Sequence, residues 1–293
     1  ELREFKMVCN AKLVERITPI VSSIIFKNHI FIGQFNYLVQ KKYDGGDDII
    51  NVKIFESSRI NSIIAFESIS EKVYVRLCIG GGRSASIIDI IYNNETYLTR
   101  EIKIFHYYDW IMSSIFLSTD TIFFISSHTD IVIFNVQTNL RKTHICDSSR
   151  TLTYSCHSSI HDQGNQRYVM VLTGSAFGKI NLYKCILDSD NIQSIDFQSS
   201  FSGHNGPIFS VSTSADLNFA CSCADDRSIC LWNLSKNNLI KTFYGHTARI
   251  WKVMFSQQQD SLISIGEDGL CVHWNFGGEV ISSYRSLAPR EGF

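Results

Sequence analysis

The chain has 293 residues, 44% of them hydrophobic, which is long and apolar enough to bury a large core. Its 27 basic and 28 acidic residues leave a net charge of −1, which excludes binding to nucleic acid through bulk charge and leaves room only for a local basic patch. With 3 Pro and 17 Gly it carries no low-complexity linker, and no apolar run reaches the roughly 18 residues of a membrane-spanning helix.

β-branched and aromatic residues are abundant and Ala is scarce, which favours strands. The nine Cys are scattered, and several sit inside strand-like runs (Cys78, Cys185, Cys230, Cys271), as buried thiols of a reducing compartment would. No basic-then-apolar leader opens the chain, so a cytoplasmic protein without membrane insertion is expected.

Leu2–Leu13 is the one weak helical candidate. From there on the pattern is all strand. Ile24–Phe35 reads as two strands broken at Asn28-His29. Val52–Phe55, Asn61–Phe66, Val73–Ile79 and Ser86–Tyr92 follow, the last two joined by Gly80-Gly81-Gly82. Trp110–Leu117, Thr121–Ser126 and Ile131–Val136 form a triplet, and Tyr168–Thr173 and Lys179–Cys185 a pair.

Two stretches then repeat each other. His204, Ser222, Asp226 and Trp232 recur as His246, Ser264, Asp268 and Trp274, each 42 residues further on (246 − 204, and likewise for the rest). A Gly-His opening, a period of roughly 40–45 residues and a Trp-Asn close are the marks of a β-propeller blade. The Asp belongs in the turn between the second and third strands, the His can link it to the Ser, and the Ser can meet the indole N–H. Weaker blades show the same shape. Phe134 and Tyr183 take the Trp place, while His128 and Phe177 stand where the Asp is expected. About six blades follow, starting near residues 20, 60, 105, 150, 203 and 245.

The expected fold is therefore an all-β WD-repeat β-propeller in one domain over residues 1–293. Strong repeats cover 203–244 and 245–284, and degenerate blades cover about 20–200. After Gly278–Tyr284, Ser286-Leu287 stands where another Gly-His belongs, so a seven-bladed propeller lacking its last blade is expected.

Other chemistry is less well supported. A Ser-His-Asp trio invites a hydrolase, but its appearance twice with a Trp is explained by a fold and not by one active site. Gly80-Gly81-Gly82-Arg83-Ser84 lacks the Gly-Lys-Ser of a phosphate loop and reads as a bend between strands. Cys221-x-Cys223 with Cys230 has the wrong spacing for zinc, and Asp44–Asp48 is too short for a calcium loop. No catalytic, cofactor or metal residues are assigned, and no small-molecule substrate is expected.

Partner-facing residues are sought where the chain enters each innermost strand after the Gly-His. Alternate residues there share a face, which selects Trp110 and Met112, Pro207 and Phe209, and Arg249 and Trp251. Lys41, Lys42, Arg141 and Lys142 are candidates for phosphate contacts.

Gly245-His246-Thr247-Ala248-Arg249-Ile250-Trp251, Leu262–Asp268 and Gly278-Glu279-Val280 resemble the N-terminal propeller of the WD repeat-containing protein six family. Ser202-Gly203-His204, Ile208-Phe209-Ser210, Asp226–Ile229 with Leu231-Trp232, and Asp109-Trp110-Ile111 support the resemblance in order along the chain. The resemblance implies a non-catalytic subunit. Such proteins pair with a cytosolic tRNA 2′-O-methyltransferase and direct it to position 34 of tRNA; the partner, not the propeller, binds S-adenosylmethionine. The competing expectation is a generic adaptor in signalling or endosomal trafficking with no RNA role.

Overall fold

The structure is a computed structural model that describes residues 20–43, 49–70, 73–93, 96–146, 150–164 and 166–285. The helical candidate at Leu2–Leu13 and the acidic stretch at Asp44–Asp48 lie outside them. Every regular element among the described residues is a strand, and the 24 strands form six four-stranded antiparallel meanders of the propeller-blade type. They fall into two compact units, 1–111 and 112–293.

The first unit holds two sheets. One is β1 (Ile20–Phe26), β2 (His29–Gln34), β3 (Tyr37–Lys42) and β4 (Ile50–Lys53). The other is β5 (Ser62–Ser70), β6 (Val73–Gly81), β7 (Ser84–Asn93) and β8 (Thr96–His106). Along β2, buried and half-buried residues alternate, so one face enters a core with Leu38, Ile60, Leu77 and Ile79. The sequence places the first turn at Asn28-His29, but it forms one residue earlier: Lys27 takes a positive φ of 52° and His29 already pairs with Phe26. Gly80-Gly81-Gly82-Arg83-Ser84 is a hairpin, with Gly82 and Arg83 as its loop. On β7, Asp89 is fully buried between Arg76 of β6 (2.7 Å) and Arg100 of β8 (3.2 Å). Burial of that carboxylate is offset by its cross-strand partners.

The second unit holds four sheets. The first is β9 (Ile111–Phe116), β10 (Thr121–Ser126), β11 (Asp130–Asn135) and β12 (Arg141–Ile145). Next is β13 (Thr153–Gln163), β14 (Gln166–Ser175), β15 (Lys179–Asp188) and β16 (Asn191–Ser202). The third is β17 (Ile208–Thr213), β18 (Phe219–Ala224), β19 (Ile229–Asn233) and β20 (Asn238–Phe243). The fourth is β21 (Ile250–Phe255), β22 (Ser261–Gly266), β23 (Leu270–Asn275) and β24 (Val280–Arg285).

The burial of each strand follows from its place. All six residues of β10 are buried, as suits a strand with neighbours on both edges and the next sheet packed on its face. β20 and β24, last in their sheets, are mostly exposed. The first strands β13, β17 and β21 lie side by side, so they form the inner edge of their blades. Apolar cores fill the spaces between consecutive sheets. Trp232 packs with Leu172, Leu182 and Phe201 of the preceding blade, and Trp274 with Cys221, Leu231 and Phe243 of the blade before it. Each buried indole is held by contacts whose loss on truncation to Ala costs about 3–5 kcal/mol.

The cysteines of the third blade divide between these cores. Cys221 and Cys223 face one core and Cys230 the other, so the three thiols do not converge. The eight described cysteines are free thiols.

A candidate interaction surface

The blade network can be followed atom by atom. His204 Nδ1 lies 3.0 Å from Asp226 Oδ2, His204 Nε2 lies 2.8 Å from Ser222 Oγ, and the Trp232 indole N–H donates to Ser222 Oγ at 2.8 Å. In the fourth blade of this unit, His246 lies 2.9 Å from Asp268 and 2.8 Å from Ser264, and Trp274 donates to Ser264 at 2.8 Å. The carboxylates also accept from backbone N–H groups: Asn205 and Ser228 for Asp226, Thr247 and Leu270 for Asp268. Each carboxylate therefore ties the Gly-His turn to the turn between the second and third strands. The His, Ser and Trp of both tetrads and Asp268 are buried, Asp226 is half-buried, and their polar atoms are engaged with one another, as suits fold elements.

Charge follows this wiring. Burial opposes ionisation of His204, but its hydrogen bonds to Asp226 and Cys230 prevail and raise its pKa to about 9. Burial likewise opposes the charge on Asp226, and His204, Ser228 and the Asn205 N–H outweigh it, so the carboxyl titrates well below its usual range. Asp268 is shifted down in the same way by Thr247, Leu270 and His246 against burial.

The weaker blades solve the same turn differently. His128 does stand in the Asp place of the first blade of this unit, but a carboxylate is not lost from it. Asp130, two residues later, is fully buried and pairs with Arg150 at 3.1 Å. At the Ser place stands Phe124 and at the Trp place Phe134, both buried. In the second blade, Ser175 Oγ accepts from the Phe177 and Lys179 N–H groups, so a hydroxyl replaces the carboxylate and Phe177 points outward. The positions of Asp130 and Ser175 carry no repeat signal, and so they are missed when the sequence is searched for the Asp place alone.

In the second unit, the residues selected from sequence lie at the starts of the first strands. Trp110 is 55% exposed at the end of the first unit, and Met112 is half-buried as the second residue of β9. Pro207 and Phe209 are half-buried, while Arg249 and Trp251 are exposed. Phe209 and Trp251 meet with ring centroids 4.9 Å apart. A third ring continues the row: Tyr154, 47% exposed, lies 6.3 Å from Phe209. Tyr154 is absent from the sequence selection because the second blade has longer strands and departs from the 42-residue period.

The row has a backbone cause. The first strands β13, β17 and β21 shift register at the same place, between Thr153 and Ser155, Ile208 and Ser210, and Ile250 and Lys252. Tyr154, Phe209 and Trp251 are the extra residues of three equivalent β-bulges, and a bulge re-aims its side chain out of the alternating pattern. The neighbouring hydroxyls bind across blades, Ser155 to the Ile208 carbonyl (2.8 Å) and Ser210 to the Val253 carbonyl (3.3 Å). At one end of the row, the Arg249 guanidinium lies 5.5 Å over the Trp251 ring, with its Nε 3.0 Å from Glu267 and 3.5 Å from Asp225. An exposed aromatic row with an Arg is the composition that carries energy in protein interfaces.

The lysine and arginine candidates are dispersed. Lys41 and Lys42 lie on β3, and Arg141 and Lys142 on the outer strand β12, where Lys142 donates to Asn191 at 2.9 Å. Among the described residues no group of His, Cys, Asp and Glu could hold a metal ion, and no helix is long and apolar enough to cross a membrane.

Four-stranded blades, paired tetrads and an outward-facing rim define a WD-repeat protein, and the WD domain, G-beta repeat family matches residues 195–233 and 237–275. Within that class the chain is WDR6-like. It is 34% identical over 96 residues to the tRNA (34-2'-O)-methyltransferase regulator WDR6 of Mus musculus, covering 30% of this chain and 8% of that protein. Against the regulator of the same name in Drosophila melanogaster it is 23% identical over 205 residues, 60% of this chain and 20% of that protein. A shorter match, 34% over 68 residues, joins it to Superkiller complex protein 8 of Dictyostelium discoideum, covering 22% of each chain. The matches span no more than about a quarter of the length of these relatives.

Proposed function

We propose that the chain is a non-catalytic cytoplasmic scaffold that binds a tRNA 2′-O-methyltransferase and directs ribose methylation at position 34 of tRNA. The observation that carries this reading is the bulge-borne row Tyr154–Phe209–Trp251 with Arg249 at its end, in a chain that is similar over part of its length to relatives named as regulators of that methyltransferase. The buried tetrads leave rigid docking as the work of the blades. A rigid partner holds enzyme and substrate in register and lowers the entropic cost of their meeting. The tRNA is reached through the complex, and any phosphate contact by Lys41, Lys42, Arg141 or Lys142 weakens with salt.

Deleting the gene and measuring 2′-O-methylation at nucleotide 34 tests the reading. Loss of the methyl group, restored by the wild-type chain in its natural full-length context and not by Arg249→Glu, supports it. Methylation that persists in the deletion rejects it and leaves the adaptor reading.

A further inference from the structure

A cleft of about 310 Å³ opens between two consecutive blades of the second unit, lined by Thr121, Ile133, Leu140 and Lys142 on one side and Asp190 and Asn191 on the other. Its walls come from hairpins of unequal length. β15 and β16 have 10 and 12 residues, whereas β11 and β12 have 6 and 5. The turn of the longer hairpin is pinned across the gap by two hydrogen bonds, from Ser118 Oγ to Asp190 and from Lys142 Nζ to Asn191 Oδ1 at 2.9 Å. The floor is apolar. Ile133 is buried, but Leu140 is 66% exposed, so uncovered carbon remains at the mouth.

Most polar groups of the walls are already engaged. Asn135 accepts from the Thr138 hydroxyl at 2.9 Å and donates to Thr121 at 3.4 Å. Asp190 accepts from Ser118 and lies 3.7 Å from Arg167. Lys142 is different. Its one bond goes to a neutral amide, and no carboxylate among the described residues pairs with it. That bond also orients Asn191: the amide oxygen accepts from the lysine, so both amide N–H groups are left to donate beside the ammonium. Two adjacent donors, one of them charged, match the two oxygens of a carboxylate, and the bare floor next to them matches a short hydrocarbon.

We propose that this cleft binds a small aliphatic carboxylate, its oxygens held by Lys142 and Asn191 and its tail laid on Ile133 and Leu140. A volume of about 310 Å³ stands at the lower end of small-molecule sites, which favours a free acid over a segment of a partner protein.

The test is a calorimetric titration of the 293-residue chain with isocaproate, with its neutral isostere isocaproamide and with acetate, while the methyl NMR signals of Ile133 and Leu140 locate the site. Isocaproate is expected to bind about tenfold more tightly than the amide, because hydrogen bonds to a charged acceptor are about twice as strong as neutral ones. It should exceed acetate by more than about tenfold, because acetate has no tail to cover the floor. Lys142→Met, and separately Asn191→Ala, should each weaken isocaproate by about tenfold. Both side chains are exposed, so the melting temperature should stay near that of the wild type. Equal affinity for acid and amide, unchanged affinity in Lys142→Met, or methyl signals that do not move overturns the proposal. So does tighter binding of inorganic phosphate, or of a hexapeptide ending in leucine, since the occupant would then be a phosphate group or the end of a partner chain. None of these readouts depends on tRNA methylation, so this proposal and the methyltransferase reading fail separately.

Discussion

The His204 imidazole is held 3.0 Å from Asp226 at the mouth of one blade, and this contact reverses the usual effect of burial on a histidine. Elsewhere in the same unit burial prevails. His157 on β13 is pushed down to about 4 by burial first, then by Lys252 and His161.

The two histidines predict a stability maximum. His204, raised from 6.5 to about 9, contributes fully below pH 6.5, and that contribution is lost as pH rises through 9. His157, lowered from 6.5 to about 4, has the opposite sign: the unfolded chain takes up the proton first, so stability falls as pH drops from 6.5 towards 4. Melting temperature should therefore peak near pH 6.5, and His204→Gln should flatten the alkaline limb. An NMR titration in which the His204 ring deprotonates below pH 6.5 would contradict this.

The tetrads should be equivalent in energy. Ser222→Ala and Ser264→Ala each leave an indole N–H and an imidazole nitrogen facing a methyl group. Each should cost about 2 kcal/mol, since a buried donor without a partner carries its full desolvation penalty. Urea denaturation of both variants checks it, and a loss at one site with none at the other would show that the two networks are not interchangeable.

Two glycines with nearly the same backbone separate crowding from strain. Gly178 and Gly269 have φ of 74° and 75°. A methyl group at Gly178 would overlap the His204 carbonyl, while at Gly269 it would meet nothing within 4 Å. Gly269→Ala should cost about 1–2 kcal/mol for the left-handed backbone alone. Gly178→Ala should cost clearly more, because backbone is slow to give way. Equal melting temperatures for the two variants would show that the Gly-His turn yields easily.

At the rim, binding and folding should part company. Arg249 pairs with two half-exposed carboxylates, and such pairs contribute about 0–1 kcal/mol. Arg249→Glu is expected to move the melting temperature little and to abolish co-purification of the methyltransferase proposed as the partner. Trp251→Ala should behave alike. Capture of the enzyme at wild-type yield by both variants would remove this end of the row from the interface.

Much of this was legible in the chain. The expected starts near 150, 203 and 245 precede β13, β17 and β21 by a few residues, and Thr121–Ser126 is a strand with the same bounds as expected. Inner strands are read easily because both faces are apolar. Strands such as β16 (Asn191–Ser202) escape because an outer strand buries little and its polar residues mimic a loop. Phe134 and Tyr183 do stand as buried rings in the third strands of their blades, as their place six residues after His128 and Phe177 suggested. Tyr154, Asp130 and Ser175 escape because each depends on register, and an inserted residue or a two-residue slide of a carboxylate leaves no periodic trace.

A residue accommodated in a bulge hangs outside the ladder of paired amides. Its side chain can be exchanged without taxing the blade beneath it, so Tyr154, Phe209 and Trp251 are three sockets whose contents evolution or an engineer can rewrite one by one. New specificity grown at those sockets would leave the melting behaviour of the blades where it was.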